Sequence, residues 1–203
     1  MFVKICGVTN VDDALQAVEA GADAVGMVFA ESARRLDPAT GRAIVRSLPP
    51  ETLTVAVFRN QPLEEIREIL GTTRARGAQI HGSRPGDVRS LRDAVSFVIE
   101  AFPADASVAA RLERSDADLI LVDSGSPGSG RPFDWTLLDG AGRRRLVLAG
   151  GLHPGNVSDA IALVRPHGVD VATGVESAPG RKDPEKVRRF VDRARAAWAE
   201  TGA

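Results

Sequence analysis

Residues 3 to 10 read VKICGVTN and hold the only cysteine in the chain. Cys6 closes a short apolar run and stands before a Gly-Val-Thr-Asn turn. A thiol in that place can work as a nucleophile or a base once it ionises. Other chemically able residues also end apolar runs. Asp123 ends "ADLILVD", His81 ends "GAQIH", and Arg59 and Asn60 end "TLTVAVFRN". Ser32 to Arg35 follow "ADAVGMVF", Gly150 and Gly151 follow "RLVLA", and Asp170 to Gly174 close the last such run. Each has a plainer reading. A lone cysteine is usually a small buried hydrophobe, Asp123 could cap a turn, and an arginine is usually a solvated charge. The glycines read more sharply. "AGGLHPGNV" precedes a helical pattern and "ATGVESAPGRKD" follows the next run. Glycine lets backbone N–H groups approach an anion, and helix N-termini favour negative charge. The pair points to a phosphorylated small molecule.

The elements that must carry these residues alternate between two periods. "FVKI", "ADAVGMVF", "TLTVAVF", "RGAQIHG", "VSFVIEAF", "ADLILVD", "RLVLAGG" and "GVDVATG" read as strands. Between them lie helical patterns, from "NVDDALQAVEAG" to "DPEKVRRFVDRARAAWAE". Thr9 or Asn10 can cap the first helix, and Asp37-Pro38 and Asp183-Pro184 open two others. "GDVRSLRD" and "FDWTLLDG" are expected as short helices, and "SGSPGSGRP" as a loop. Most strand runs are continuously apolar, which marks strands buried on both faces of a parallel sheet. Eight strand-helix units predict a single-domain α/β chain over residues 1–203, a (β/α)8 or TIM barrel. An open doubly wound sheet is the competing arrangement. In a barrel the strand ends converge on one mouth, and the loops after strands 7 and 8 commonly hold phosphate.

The bulk composition excludes several classes. The chain has 203 residues, 43% hydrophobic and 26% charged, with a net charge of -1. That balance gives no basis for binding nucleic acid or an anionic membrane. No apolar run reaches the roughly 20 residues of a membrane helix, and the first ten residues do not form a signal peptide. One cysteine cannot build an internal disulfide, so a cytoplasmic location is expected. The three histidines, His81, His153 and His167, lack metal-ligand spacing.

"KICGVTN", "AGGLHPGNV" and "GVDVATGVESAPGRKDPEKVRRFV" together closely resemble the phosphoribosylanthranilate isomerase family of tryptophan biosynthesis. "GMVFAESARRLDP", "VAVFRNQP", "QIHG" and "VDSGSPGSGRPFDW" follow in the family's order, so the resemblance covers nearly the whole chain. It implies a (β/α)8 barrel and an Amadori rearrangement, an aldose–ketose isomerisation without a cofactor. N-(5-phosphoribosyl)anthranilate would become 1-(2-carboxyphenylamino)-1-deoxyribulose 5-phosphate. By the resemblance Asp123 is the general acid and Cys6 the general base, and Arg34 nearby would then lower the Cys6 thiol, because positive potential favours the thiolate. Arg34, His81 and Asp170 would bind substrate, and Gly150, Gly151, Thr173 and Gly174 its phosphate. The expected partner is that phosphorylated small molecule, with the chain a monomer or homodimer.

The chain departs from the family's pattern in places. Ala33 replaces a usual proline, and Arg35 follows Arg34, so either arginine could face the site. "PGSG" and "ATG" replace the usual loop sequences, and Glu100 stands where a lysine is usual, expected to place a negative charge near the mouth. Two other functions compete. A histidine-pathway isomerase would share the barrel and the phosphate, but typically carries an aspartate where Cys6 stands. A barrel that binds a phosphorylated ligand without turnover would not need Cys6, Arg34 and Asp123 together.

Overall fold

A computed structural model describes residues 1–105, 107–124, 132–138 and 145–201. Eight parallel strands close on themselves in chain order. They are β1 (Phe2–Cys6), β2 (Ala24–Val28), β3 (Leu53–Arg59), β4 (Gly77–His81), β5 (Phe97–Pro103), β6 (Leu119–Asp123), β7 (Leu146–Leu148) and β8 (Gly168–Val171). Strand β1 pairs with both β2 and β8, so the sheet is closed and the expected barrel is present.

Around it run α1 (Val11–Glu19), α2 (Pro38–Ser47), α3 (Leu63–Thr73), α4 (Asp87–Leu91), α5 (Val108–Arg114), α6 (Val157–Val164) and α7 (Pro184–Glu200). The caps follow the sequence. Asn10 Oδ1 accepts from the Asp13 N–H, and Asp37 Oδ1 from the Thr40 N–H. Asp183 Oδ1 accepts from the N–H groups of Glu185 and Lys186. Each cap satisfies donors that the first helical turn leaves open. The sixth connection differs from expectation. Its described part, Trp135–Leu138, is a 3-10 turn rather than an α-helix. The expected loop over residues 124–132 lies, apart from its two end residues, outside the described residues.

The strands carry two cores. Outward residues such as Val3, Ile5, Val25, Met27, Phe58 and Val98 pack beneath the helices. Inward residues such as Val55, Val57, Ile99, Leu121 and Val147 fill the barrel. Because side chains alternate along a strand, Ile99 and Ala101 point in while Val98 and Phe102 point out. Glu100 therefore points outward, away from the mouth. Its carboxylate accepts from the Ser83 and Ser115 hydroxyls beside α4 and α5. The expected negative charge near the mouth is absent for this reason of strand parity.

Candidate active site

Cys6, Arg34, Arg59, Gln79, His81, Asp123 and Asp170 line one cavity of about 100 Å³ at the C-terminal ends of the strands. A second cavity of about 50 Å³ adjoins it, lined by Gly150, Gly151, Thr173 and Gly174. Asp123 and Asp170 line both. All nine residues to which the family resemblance gives a role thus meet at one mouth, whereas Arg35 and Asn60 line grooves at the sides. Larger grooves lie on the molecule's sides, such as one of about 490 Å³ beside Phe29 and Arg35, but they lack this convergence.

Arg34 is the arginine that faces the mouth; Arg35 is exposed and lines the side groove between α2 and α3. Glu176 holds Arg34 in a two-pronged pair: Nε donates to Oε1 at 2.7 Å and Nη2 to Oε2 at 2.7 Å. Nη2 also donates to Thr173 Oγ1 at 3.0 Å. Glu176 belongs to a small hairpin, β9 (Glu176–Ala178) and β10 (Arg181–Lys182), just beyond β8. From β10, the buried Lys182 ammonium reaches Glu176 Oε1 at 2.9 Å and donates to the Ala172 carbonyl at 3.2 Å. Burial works to raise the Glu176 carboxyl, but the Arg34 hydrogen bonds and the Lys182 charge bring it below its ordinary value. The Lys182 ammonium is itself lowered by burial. Neither Glu176 nor Lys182 stands out in the sequence as a site residue. A glutamate and a lysine six residues apart in a Pro-Gly loop look like surface charges until the hairpin folds them inward.

The base and acid candidates sit in opposed fields. Burial pushes the Cys6 thiol up, Lys4 pulls it down, and Asp170 adds to the rise. The sequence led us to expect a lowered thiol with Arg34 as the responsible cation. The result is the reverse because desolvation outweighs the attraction, and because Lys4 is the principal opposing charge. Lys4 itself was not foreseen as a site residue. Its only signal was a charged residue at an inward position of β1, since Phe2, Lys4 and Cys6 share one face. Asp123 is raised too, by burial first and the Asp170 charge second, against hydrogen bonds from Ser124. The Ser124 N–H donates to Asp123 Oδ1 at 2.6 Å.

Burial and the positive charges of Arg59 and Lys4 hold His81 down to about 4, so its ring is neutral at pH 7. A neutral ring can accept from the Gln79 amide, whose Nε2 lies 2.9 Å from His81 Nε2. The other Gln79 amide atom, Oε1, is buried and without a hydrogen-bond partner among the described residues.

The glycine loops lie side by side because Gly174 has no side chain. A Cβ there would stand 1.9 Å from the Leu152 carbonyl oxygen. Gly150 and Gly151 take φ values of 79° and 68°, a region that disfavours other residues. Helix α6 begins at Val157, six residues past Gly151, so no α-helix N-terminus directly abuts that glycine pair. The helical start that does line this pocket is the short 3-10 helix Thr173–Val175. No group of three or more His, Cys, Asp or Glu able to hold a metal is present among the described residues.

Residues 3–193 match the family model described as N-(5'-phosphoribosyl)anthranilate (PRA) isomerase. The N-(5'-phosphoribosyl)anthranilate isomerase of Desulforudis audaxviator is 47% identical over 97% of this chain and 98% of its own. The crystal structure of phosphoribosyl anthranilate isomerase from Thermus thermophilus superposes with a TM-score of 0.90 at 38% identity, covering 97% of this chain and 99% of that one. A phosphoribosyl anthranilate isomerase in complex with reduced 1-(o-carboxyphenylamino)-1-deoxyribulose 5-phosphate superposes with a TM-score of 0.86 at 38% identity, covering 97% and 99%.

Proposed function

Because the chain belongs to the N-(5'-phosphoribosyl)anthranilate isomerase family, we propose a division of labour at its mouth in which Asp123 is the acid and Cys6 the base. The reaction is the isomerisation of N-(5-phosphoribosyl)anthranilate to 1-(2-carboxyphenylamino)-1-deoxyribulose 5-phosphate, a step of tryptophan biosynthesis. Asp123 protonates the furanose ring oxygen, and the ring opens to a Schiff base. The Cys6 thiolate removes the proton from C2′, and the enolamine tautomerises to the ketone. The observation that carries this reading is that Cys6 and Asp123 line one cavity, with Asp123 also lining the adjoining glycine-walled pocket.

The phosphate is held by backbone N–H groups around Gly150, Gly151, Thr173 and Gly174. With phosphate there, the ribose lies between Asp123 and Cys6, and the anthranilate carboxylate extends toward Arg34. His81 and Asp170 line the same cavity as neutral and charged walls. The active form needs the proton on Asp123 and off Cys6. That is the reverse of the order their ordinary values give. The chemistry as written uses no cofactor.

Residues 1–203 act as one domain; pairing of β1 with β8, at the two ends of the sheet, supports this. No helix among the described residues is long and apolar enough to cross a membrane. A cytoplasmic monomer or homodimer, without nucleic acid, fits the sequence, and sedimentation of the purified protein separates the two oligomeric states.

The test is turnover of enzymatically generated substrate, followed by loss of anthranilate fluorescence. Cys6→Ser and Asp123→Asn should each lower kcat by at least about 100-fold while the protein stays folded. Near-normal turnover in either folded variant would reassign that role.

A further inference from the structure

Lys4 lies on β1 two residues before Cys6, inside the barrel, with a fully buried side chain. Nothing in the proposed reaction uses it. A buried ammonium is costly unless it is paired, and the residue beside it in the register is Asp170 on β8. Lys4 Nζ donates to Asp170 Oδ1 at 2.9 Å. Burial alone would lower the ammonium, but Asp170 and Cys6 more than offset this and keep it charged. Its second neighbour is the thiol. Cys6 pairs in register with Gly26 on β2, and glycine leaves a notch there. The place a Gly26 Cβ would occupy lies 2.7 Å from Cys6 Sγ and 3.0 Å from Lys4 Nζ. Thiol and ammonium therefore lean into the same space, and the Lys4 charge works to lower the Cys6 thiol.

We propose that Lys4, anchored by Asp170 on the barrel floor, stabilises the Cys6 thiolate and so is the positioning residue for the base. The inference rests on the reading of Cys6 as that base. Lys4 is covered by the residues above it and donates no proton to substrate. It supplies fixed positive charge where negative charge must form, in a site too dry for water to do so. Asp170 has a double part. It keeps Lys4 protonated, and its own charge limits how far the thiol is eased toward ionisation. The other charged groups near Cys6 are Lys182 from β10 and Arg34 from the loop after β2. Arg59, His81 and Asp123 line the same cavity. Of these cations Lys4 stands foremost, and Lys182 is spent on Glu176.

The experiment measures the rate at which iodoacetamide alkylates Cys6, the only thiol, as a function of pH in the substrate-free protein. Lys4→Met removes the charge and keeps the length. Lys4→Met/Asp170→Asn removes both charges, so no buried carboxylate is left unpaired, and a neutral replacement of this kind usually folds. Both should shift the midpoint of alkylation to higher pH, the single variant more than the double. In Lys4→Met the rate at neutral pH should fall at least about tenfold, the change in thiolate fraction made by one pKa unit. The same variant should lower kcat more than it raises KM. A merely structural Lys4 predicts the opposite sign, because a loosened barrel admits water and reagent, speeding alkylation and lowering the midpoint. An unchanged or lowered midpoint in the folded double variant overturns the proposal. The assignment of Cys6 as base is tested separately by turnover of Cys6→Ser, so the two can fail independently.

Discussion

At the scale of residues, the site is a set of buried charges that hold one another in place. Glu176 fixes the Arg34 guanidinium, and Arg34 and Lys182 together offset the cost of burying the Glu176 carboxylate. Glu176→Gln breaks both pairs and leaves a buried ammonium without its counter-charge. It should cost about 3–5 kcal/mol in denaturant unfolding. Where the variant is still folded, KM should rise about tenfold or more, the worth of one charged hydrogen bond. An ordinary KM in folded Glu176→Gln would mean that Arg34 orients without its partner. Cys6, His81, Asp123 and the glycine loops were legible in the sequence because they end or closely follow apolar runs, whereas Lys4, Glu176 and Lys182 were not. Ionisation was not legible either. Whether Cys6 rises or falls depends on how much water burial removes and on Lys4, whose inward position follows from strand parity rather than from residue type. The same parity turns Glu100 outward, so distance along the chain from a strand end was a poor guide to facing.

At the scale of elements, the strands were the most legible feature, since a strand buried on both faces is a continuous apolar run with little else to be. Helices with an Asp-Pro opening were equally plain. The sixth connection was not. "FDWTLL" is apolar enough to suggest a helix, but its described part closes only a 3-10 turn, with Leu138 as its buried residue. The loops after β7 and β8 show why their glycines matter. Gly174 is required by close approach rather than by backbone conformation. In Gly174→Ala the new methyl group meets the Leu152 carbonyl and the His153 Cβ. The two loops must separate while the strands stay paired. Inhibition by inorganic phosphate should weaken about tenfold or more, as charged hydrogen bonds to the backbone are lost. Circular dichroism should remain that of the parent. Undiminished phosphate inhibition in that variant would place the anion elsewhere.

At the scale of the whole molecule, closure of β1 onto β8 gathers residues from both ends of the chain into one buried polar floor. Such a floor makes stability depend on pH. His81 titrates at about 4 when folded and near its ordinary 6.5 when unfolded. Between those values the unfolded chain binds the extra proton, so stability is complete above pH 6.5 and falls as pH drops toward 4. The loss should reach roughly 2–3 kcal/mol at most, reduced by the ring's partial exposure. His81→Gln should flatten this limb in urea titrations between pH 6.5 and 4.5. A wild-type slope in that variant would assign the limb to other groups. Glu176 acts in a lower window: its folded value is depressed, so its contribution holds above the ordinary carboxylate range and is lost below it. One feature of the mouth also bears on oxidative damage. Peroxide attacks thiolates, and Cys6 is held mostly as the thiol until a reaction calls on it. The chain offers no second sulfhydryl to trap a sulfenic acid as a disulfide. The protection that burial gives the idle enzyme is therefore its main internal defence against peroxide, and the charge that readies Cys6 for proton transfer is also what exposes it to oxidation.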